Sequence, residues 1–411
     1  MARTREIAPI LFTLPNGLRC AFRHVPGVAE CCGIAINAGS RDERPDEWGI
    51  AHFVEHTIFK GTARRRSHHI LNRMESVGGE LNAYTTKEET LVYTLAPAGN
   101  MSRSMELLAD LISRSVFPKT ELDKERIVVI DEINSYLDSP ADAAYDDFED
   151  EIYKGAQLGH NILGTPRSVK KLTSEDCHDW VKRFFTAENM VLFYSGPGTE
   201  TRFNALSQKH FIDIAASATR DVREPALPVA PFDISRSIHS HQTHTVMGTR
   251  CELPPVEKKL SFNLLNNILG GPGMNSILNI ALRERRGLVY TVESSLAYYT
   301  DSMMWTCYFG CDKEYLNECK SLVNEQLNKL SDTPLTSSAL ARSKKQFLGQ
   351  VILSGASVEN CAISLGRSVL RNQKYLVPSL IETELEKITA EHLRETAHSL
   401  NAVPLSALTF Y

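Results

Sequence analysis

The chain has 411 residues, enough for two domains of ordinary size, and its 42% hydrophobic and 23% charged residues are those of a soluble globular protein with a large core. A formal net charge of −5 gives no nucleic-acid footprint, because acidic residues outweigh the basic runs at 63–66 and 283–286. No stretch is long enough for a membrane span or a signal-peptide core, and nine scattered cysteines, an odd number, read as free thiols, so a cytoplasmic location is expected.

Residues 31–39, CCGIAINAG, read as a strand. The stretch WGIAHFVEHTIFKGT, 48–62, reads as a buried helix, yet it carries His52, Glu55 and His56. SHHILNRMESVGG has helical periodicity, a Ser67 cap and a stop at Gly78 and Gly79. Residues 80–96, rich in Thr, Tyr, Leu and Val, read as a single long strand. Helices are expected over 101–116 and 119–138, divided by Pro118, and over 141–154. Another at 174–185 opens on a Ser174 cap, and 189–196 is a strand. The proline-containing stretch 223–237 is the linker candidate. Beyond it come a strand at 244–253, a buried helix at 258–271 ending in glycines, and two hairpin strands at 287–300 and 303–311. Helices then fill much of 313–399, and 404–411 closes as a strand.

Strand, buried helix and glycine stop therefore recur with similar spacing. Setting Gly61 against Gly270 places Ser261, Leu264 and Leu265 opposite His52, Glu55 and His56. The expected fold class is α+β, with two related domains, each a mainly antiparallel sheet packed with helices. They span residues 1–222 and 238–411 around the linker 223–237, and only the first holds the polar cluster.

On a helix, His52 and His56 stack one turn apart on one face, and Glu55 borders it. A lone histidine on an apolar face is most often a satisfied core residue. Burying three uncompensated polar groups is harder to explain, since each costs about 2–7 kcal/mol. Two imidazoles at this spacing can chelate one metal ion, most often zinc, which then needs a third protein ligand and an open position.

HFVEH is an H-x-x-E-H sequence, the inverse of the common H-E-x-x-H zinc helix. GIAHFVEHTIFKGT closely resembles the inverzincin peptidases related to pitrilysin, insulysin and the mitochondrial processing peptidase, family M16. The family's third ligand, a glutamate well beyond the second histidine, corresponds here to Glu132, 76 residues after His56 in KERIVVIDEINSY. The resemblance implies one Zn2+ per chain on His52, His56 and Glu132, with Glu55 as general base towards a zinc-activated water. Glu125, two turns before Glu132, would be an outer partner orienting a ligand histidine. Read without the family, Glu125 and Glu132 also fit a surface stripe of two solvated acids.

GGELNAYTTKEETLVYTL resembles the family's edge strand beside the zinc, to which substrate adds as an extra strand at Asn82 and Ala83. Alone, it is equally an ordinary amphipathic strand. LRERRGLVY resembles the segment whose Arg and Tyr, here Arg283 and Tyr290, close over substrate and stabilise the tetrahedral intermediate. Alone, RERR fits a solvated helix end. LGGPGMNSIL resembles the glycine-rich segment of processing peptidases, and the stretch from Leu163 to Gly196 resembles the family's continuation beyond the zinc site.

The implied function is a zinc-dependent endopeptidase for peptides or unfolded polypeptide segments. The length fits a short, two-domain branch in which one chain supplies half a chamber. A homodimer is expected, and a heterodimer with a zinc-less homologue is the alternative. One rival is a catalytically silent core or scaffold subunit of the same fold. The other is the autoinducer synthase that cleaves S-ribosylhomocysteine, a far shorter H-x-x-E-H lyase needing a cysteine that cannot be placed here.

Overall fold

The computed structural model describes residues 8–218, 221–238, 240–373 and 375–411. It divides into two compact units, neither of them a continuous stretch of chain. Unit 1 comprises Met1–Ile133, His160–Arg223 and Ile352–Val377, and unit 2 comprises Asn134–Gly159, Glu224–Val351 and Pro378–Tyr411. Each half of the sequence thus contributes one segment to the unit built mainly from the other. Within the stretch read as a linker, Asp233–Arg236 forms a strand.

Unit 1 opens with strands β1 (Ile10–Thr13), β2 (Arg19–His24) and β3 (Ala29–Ile36), then helices α1 (Ile50–Thr57) and α2 (Ser67–Glu75). Strands β4 (Glu80–Thr85) and β5 (Thr90–Pro97) follow, then helices α3 (Met101–Arg114) and α4 (Lys119–Leu137). After α5 (Pro140–Ile152), which belongs to unit 2, come α6 (Pro166–Val169), α7 (Ser174–Phe184), β6 (Met190–Gly196) and α8 (Glu200–Phe211). Among the described residues the sheet order is β1-β2-β6-β3-β5-β4, with β2 and β6 parallel and the other neighbours antiparallel.

Strand β3 is central and reads as an unbroken apolar run because both of its faces are covered. Its period-2 alternation sends Cys32, Ile34 and Ile36 into the core beneath α3. Cys31 and Ala35 point the other way, against Ala362 and Leu365 of the helix Val358–Leu370.

Two sequence expectations change here. The single strand expected over 80–96 is the hairpin β4–β5, folded back at Thr86–Glu89. Thr86 closes that turn: its N–H donates to the Glu89 carbonyl (2.8 Å), and its hydroxyl accepts from the Glu89 N–H (3.1 Å). The helix caps also shift by one residue. Arg66 precedes α2, so Ser67 is already helical, and α7 is capped by Thr173 rather than Ser174, in a reciprocal box with Asp176.

Unit 2 repeats the plan with β7 (Asp233–Arg236), β8 (Thr243–Glu252), α9 (Val256–Gly270), β9 (Val289–Tyr298) and β10 (Ser302–Cys311). Helices α10 (Leu316–Asp332) and α11 (Ser337–Ser354) follow, then α12 (Val358–Leu370), which packs in unit 1. Helices α13 (Pro378–Lys387) and α14 (Ala390–Leu400) lead to β11 (Ser406–Phe410). Among the described residues the sheet order is β7-β11-β8-β10-β9, with β7 and β11 parallel and the other neighbours antiparallel. Helix α5 covers one face of this sheet, where Ala144, Phe148 and Ile152 meet Val246, Leu408 and Phe410. The second core, on α9, α10 and α14, contains the fully buried Trp305. Among the described residues no helix is long and apolar enough to cross a membrane.

Candidate metal centre

Helix α1 is anchored by Ile50, Ala51, Phe53 and Val54, all buried in the unit 1 core. Their spacing turns His52, Glu55 and His56 towards α4 and the edge strand β4, and α1 packs directly on β4. The two imidazoles lie with ring centroids 4.5 Å apart. Glu132 of α4 meets both: its Oε2 is 3.7 Å from His52 Nε2 and 3.3 Å from His56 Nε2. One donor atom from each of the three residues lies within 4.8 Å of the others.

This set fits zinc on two counts. Two imidazole nitrogens and one carboxylate oxygen are a catalytic-type donor set that leaves a position open. Ligand bonds of about 2.0–2.2 Å in a tetrahedron set donors roughly 3.3–3.6 Å apart, close to the separations seen here. Burial, reinforced by His56, pushes the His52 imidazolium down to about 3, so this ring is neutral and offers a lone pair at ordinary pH.

The surroundings orient these groups. Glu125 Oε2 lies 3.2 Å from His56 Nδ1, which aims the opposite ring nitrogen at Glu132. The other oxygen of Glu125 is 2.5 Å from Lys60 Nζ. Lys60 was not singled out from the sequence, although it stands four residues after His56, one turn on. Glu55 stays outside the donor set, and its buried Oε2 has no hydrogen-bond partner among the described residues. Burial raises its carboxyl above the ordinary value and the Glu132 charge adds to this, while Thr85 and His56 pull the other way.

Asn82 and Ala83 are half-buried on β4, opposite Tyr93 and Val92, and the outer side of β4 has no strand partner among the described residues. The structure therefore brings together His52, His56, Glu132, Glu125 and Glu55, with the Asn82–Ala83 strand packed on the same helix. Arg283 and Tyr290 belong to unit 2. Arg283 is half-buried in the π-helical turn Asn279–Glu284, and Tyr290 is 80% exposed at the start of edge strand β9.

Comparison with known proteins gives consistent matches. The model of Insulinase (Peptidase family M16) matches residues 21–166, and that of the Peptidase M16 inactive domain matches 171–347. An uncharacterized zinc protease of Mycobacterium leprae is 30% identical over 94% of this chain and 88% of its own length. One from Bacillus subtilis is 29% identical over 95% of each chain. The mitochondrial-processing peptidase subunit beta of Rattus norvegicus is 28% identical over 93% of this chain and 80% of its own. Among solved structures, a peptidase M16 inactive domain from Pseudomonas fluorescens superposes with a TM-score of 0.90 at 16% identity, covering 98% of both chains. A protease from Helicobacter pylori gives 0.89 at 19% identity, covering 98% of this chain and all of the other. At these identities the two structures speak for the fold.

Proposed function

The chain belongs to peptidase family M16, and on that premise we propose that it is a zinc-dependent endopeptidase with His52, His56 and Glu132 holding one Zn2+ per chain. The observation that carries this reading is the meeting of Glu132, from a separate helix, with both imidazoles at 3.3 and 3.7 Å. The zinc protease names of its relatives agree with it. When bound, the ion supplies Lewis-acid polarisation of a peptide carbonyl and brings the pKa of water to about 7.

The chain's own residues then have separable tasks. Glu55 takes a proton from the attacking water and returns it to the leaving amine. Glu125, itself held by Lys60, fixes the plane of the His56 ring. The open side of β4 at Asn82 and Ala83 receives an extended peptide as a further strand, giving grip with little demand on its sequence. Arg283 and Tyr290 of unit 2 act as donors to the tetrahedral intermediate, a role suited to guanidinium and phenol. The substrates are peptides and unfolded segments, the working form is a homodimer, and the setting is the cytoplasm.

Incubating the protein with a mixed peptide library, with and without a chelator, and reading cuts by mass spectrometry tests this. Cuts that vanish with chelator and return with zinc are expected. A zinc-loaded chain that leaves every peptide intact would instead favour the silent-subunit reading.

A further inference from the structure

Turn residues between hairpin strands are usually solvated, yet Lys87, Glu88 and Glu89 between β4 and β5 are all buried. Glu88 pairs with Arg41 at 2.6 Å, and Glu89 pairs with Arg367 and Arg371 of the α12 region. The turn also lies against the segment after β3, where Ser40 N–H donates to the Thr86 carbonyl and Arg41 N–H to that of Lys87. This segment ends at Glu43, whose side chain is fully buried.

Glu43 reaches the start of α1. Its Oε2 accepts from Gly49 N–H at 2.8 Å and its Oε1 from Ala51 N–H at 2.9 Å. Both are helix-entry donors that otherwise lack a partner, and a negative charge there suits the helix dipole. The same Oε2 lies 3.1 Å from His160 Nε2. The carbonyl of His160 accepts from Lys87 Nζ at 2.5 Å, and its ring stacks on Trp48 with centroids 5.0 Å apart. His160 is where the chain re-enters unit 1, having left it one residue beyond Glu132. Two glycines let the returning chain settle on the helix start. Gly49 (φ +92°) and Gly164 (φ +69°) meet backbone to backbone, and a Cβ on either would lie under 3 Å from the other strand of chain.

We infer that Glu43, His160 and Lys87 form a buried positioning link, which sets the metal helix α1 in register with the edge hairpin β4–β5. The proposal rests on the zinc-peptidase reading of the same site and adds what holds that site in order. A single Ser or Asp cap would satisfy a helix start. Here a buried carboxylate holds the element carrying His52, Glu55 and His56, and His160, bonded to that carboxylate through its ring and to Lys87 through its carbonyl, ties it to the hairpin carrying Asn82 and Ala83. None of the three linking residues touches substrate or metal in this scheme, so they are positioning residues.

The test uses full-length Glu43→Gln, His160→Ala and His160→Gln. It reads the visible absorption of the Co2+-substituted protein, zinc affinity by chelator competition, and kcat and KM on a cleaved peptide. Glu43→Gln and His160→Ala are expected to shift the cobalt bands and weaken zinc about tenfold. Their kcat should fall roughly tenfold to a hundredfold while KM stays within about twofold. His160→Gln, which still donates to Glu43, should keep the wild-type spectrum. If Glu43→Gln does not fold, His160→Ala, which leaves both backbone bonds intact, carries the same prediction. Wild-type spectrum, zinc affinity and kcat in the folded variants, whatever their melting temperatures, would overturn the link. A wild-type protein that cleaves nothing would remove the peptidase reading, while the cobalt spectra would still decide the link.

Discussion

Helices α1 and α9 enter their sheets at the same point of the same topology. In unit 1 the order β2-β6-β3-β5-β4 places α1 between β3 and β4 in the chain, and in unit 2 β7-β11-β8-β10-β9 places α9 between β8 and β9. Strands β4 and β9 each begin 19 residues beyond Gly61 and Gly270. The side chains opposite His52, Glu55 and His56 are Ser261, Leu264 and Leu265, all buried. The helix–helix polar contacts differ in kind as well. Where α1 meets α4 through imidazole and carboxylate, α9 meets α11 through amides, Asn267 Nδ2 donating to Gln350 Oε1 at 2.6 Å. The topology thus follows from apolar patterning that both units share, whereas among the described residues the cluster of His52, His56 and Glu132 lies in unit 1.

The most severe way to break the contrast is to write α9 into α1. The triple variant His52→Ser, Glu55→Leu, His56→Leu should lose zinc and lower peptide cleavage by about 10^4-fold or more. It should still fold, because Ser, Leu and Leu are the side chains that α9 buries at the equivalent positions, and replacing buried polar groups with apolar ones, as at 55 and 56, is often neutral; elemental analysis and thermal melting check both halves. Next in size is Glu55→Gln, expected to keep zinc while kcat drops about 10^2–10^4-fold. Full turnover in that protein would remove Glu55 as the base. Glu125→Gln and Lys60→Met should be milder, weakening zinc by about 10–100-fold in chelator competition without abolishing cleavage. On the other side of the comparison, Leu264→Ala should cost about 2–5 kcal/mol of stability by denaturant titration and leave zinc content unchanged. A loss of metal there would mean that the two units are not separable in this way.

Much of this contrast is legible in the sequence. The polar triad inside an apolar helix and the faint register of Gly61 with Gly270 follow from pattern, and Glu132 follows from the family spacing. The restart expected after residue 237 is preceded by the strand Asp233–Arg236, which already belongs to the second sheet. What escaped has physical reasons. The hairpin turn TTKEE lacks Gly, Pro and Asn, so its Thr86 closure left no familiar signal. Its charges look solvated in sequence, but they are buried against Arg41, His160 and Arg367. Amphipathic periodicity shows that α5 and α12 each have an apolar face, and it cannot say which sheet that face covers. Adjacent Thr173 and Ser174 are both competent caps, and the reciprocal bond to Asp176 decides between them. Glu43 lies outside the histidine stretch, and its role depends on His160, which is distant in the chain.

The most direct measurement is elemental analysis by plasma mass spectrometry of the purified wild-type chain beside Glu132→Gln. One zinc per chain in the first, largely lost in the second while the fold persists by circular dichroism, is the expected result. A wild-type chain without zinc, or a Glu132→Gln chain that holds it as tightly as wild type, would contradict the proposed centre.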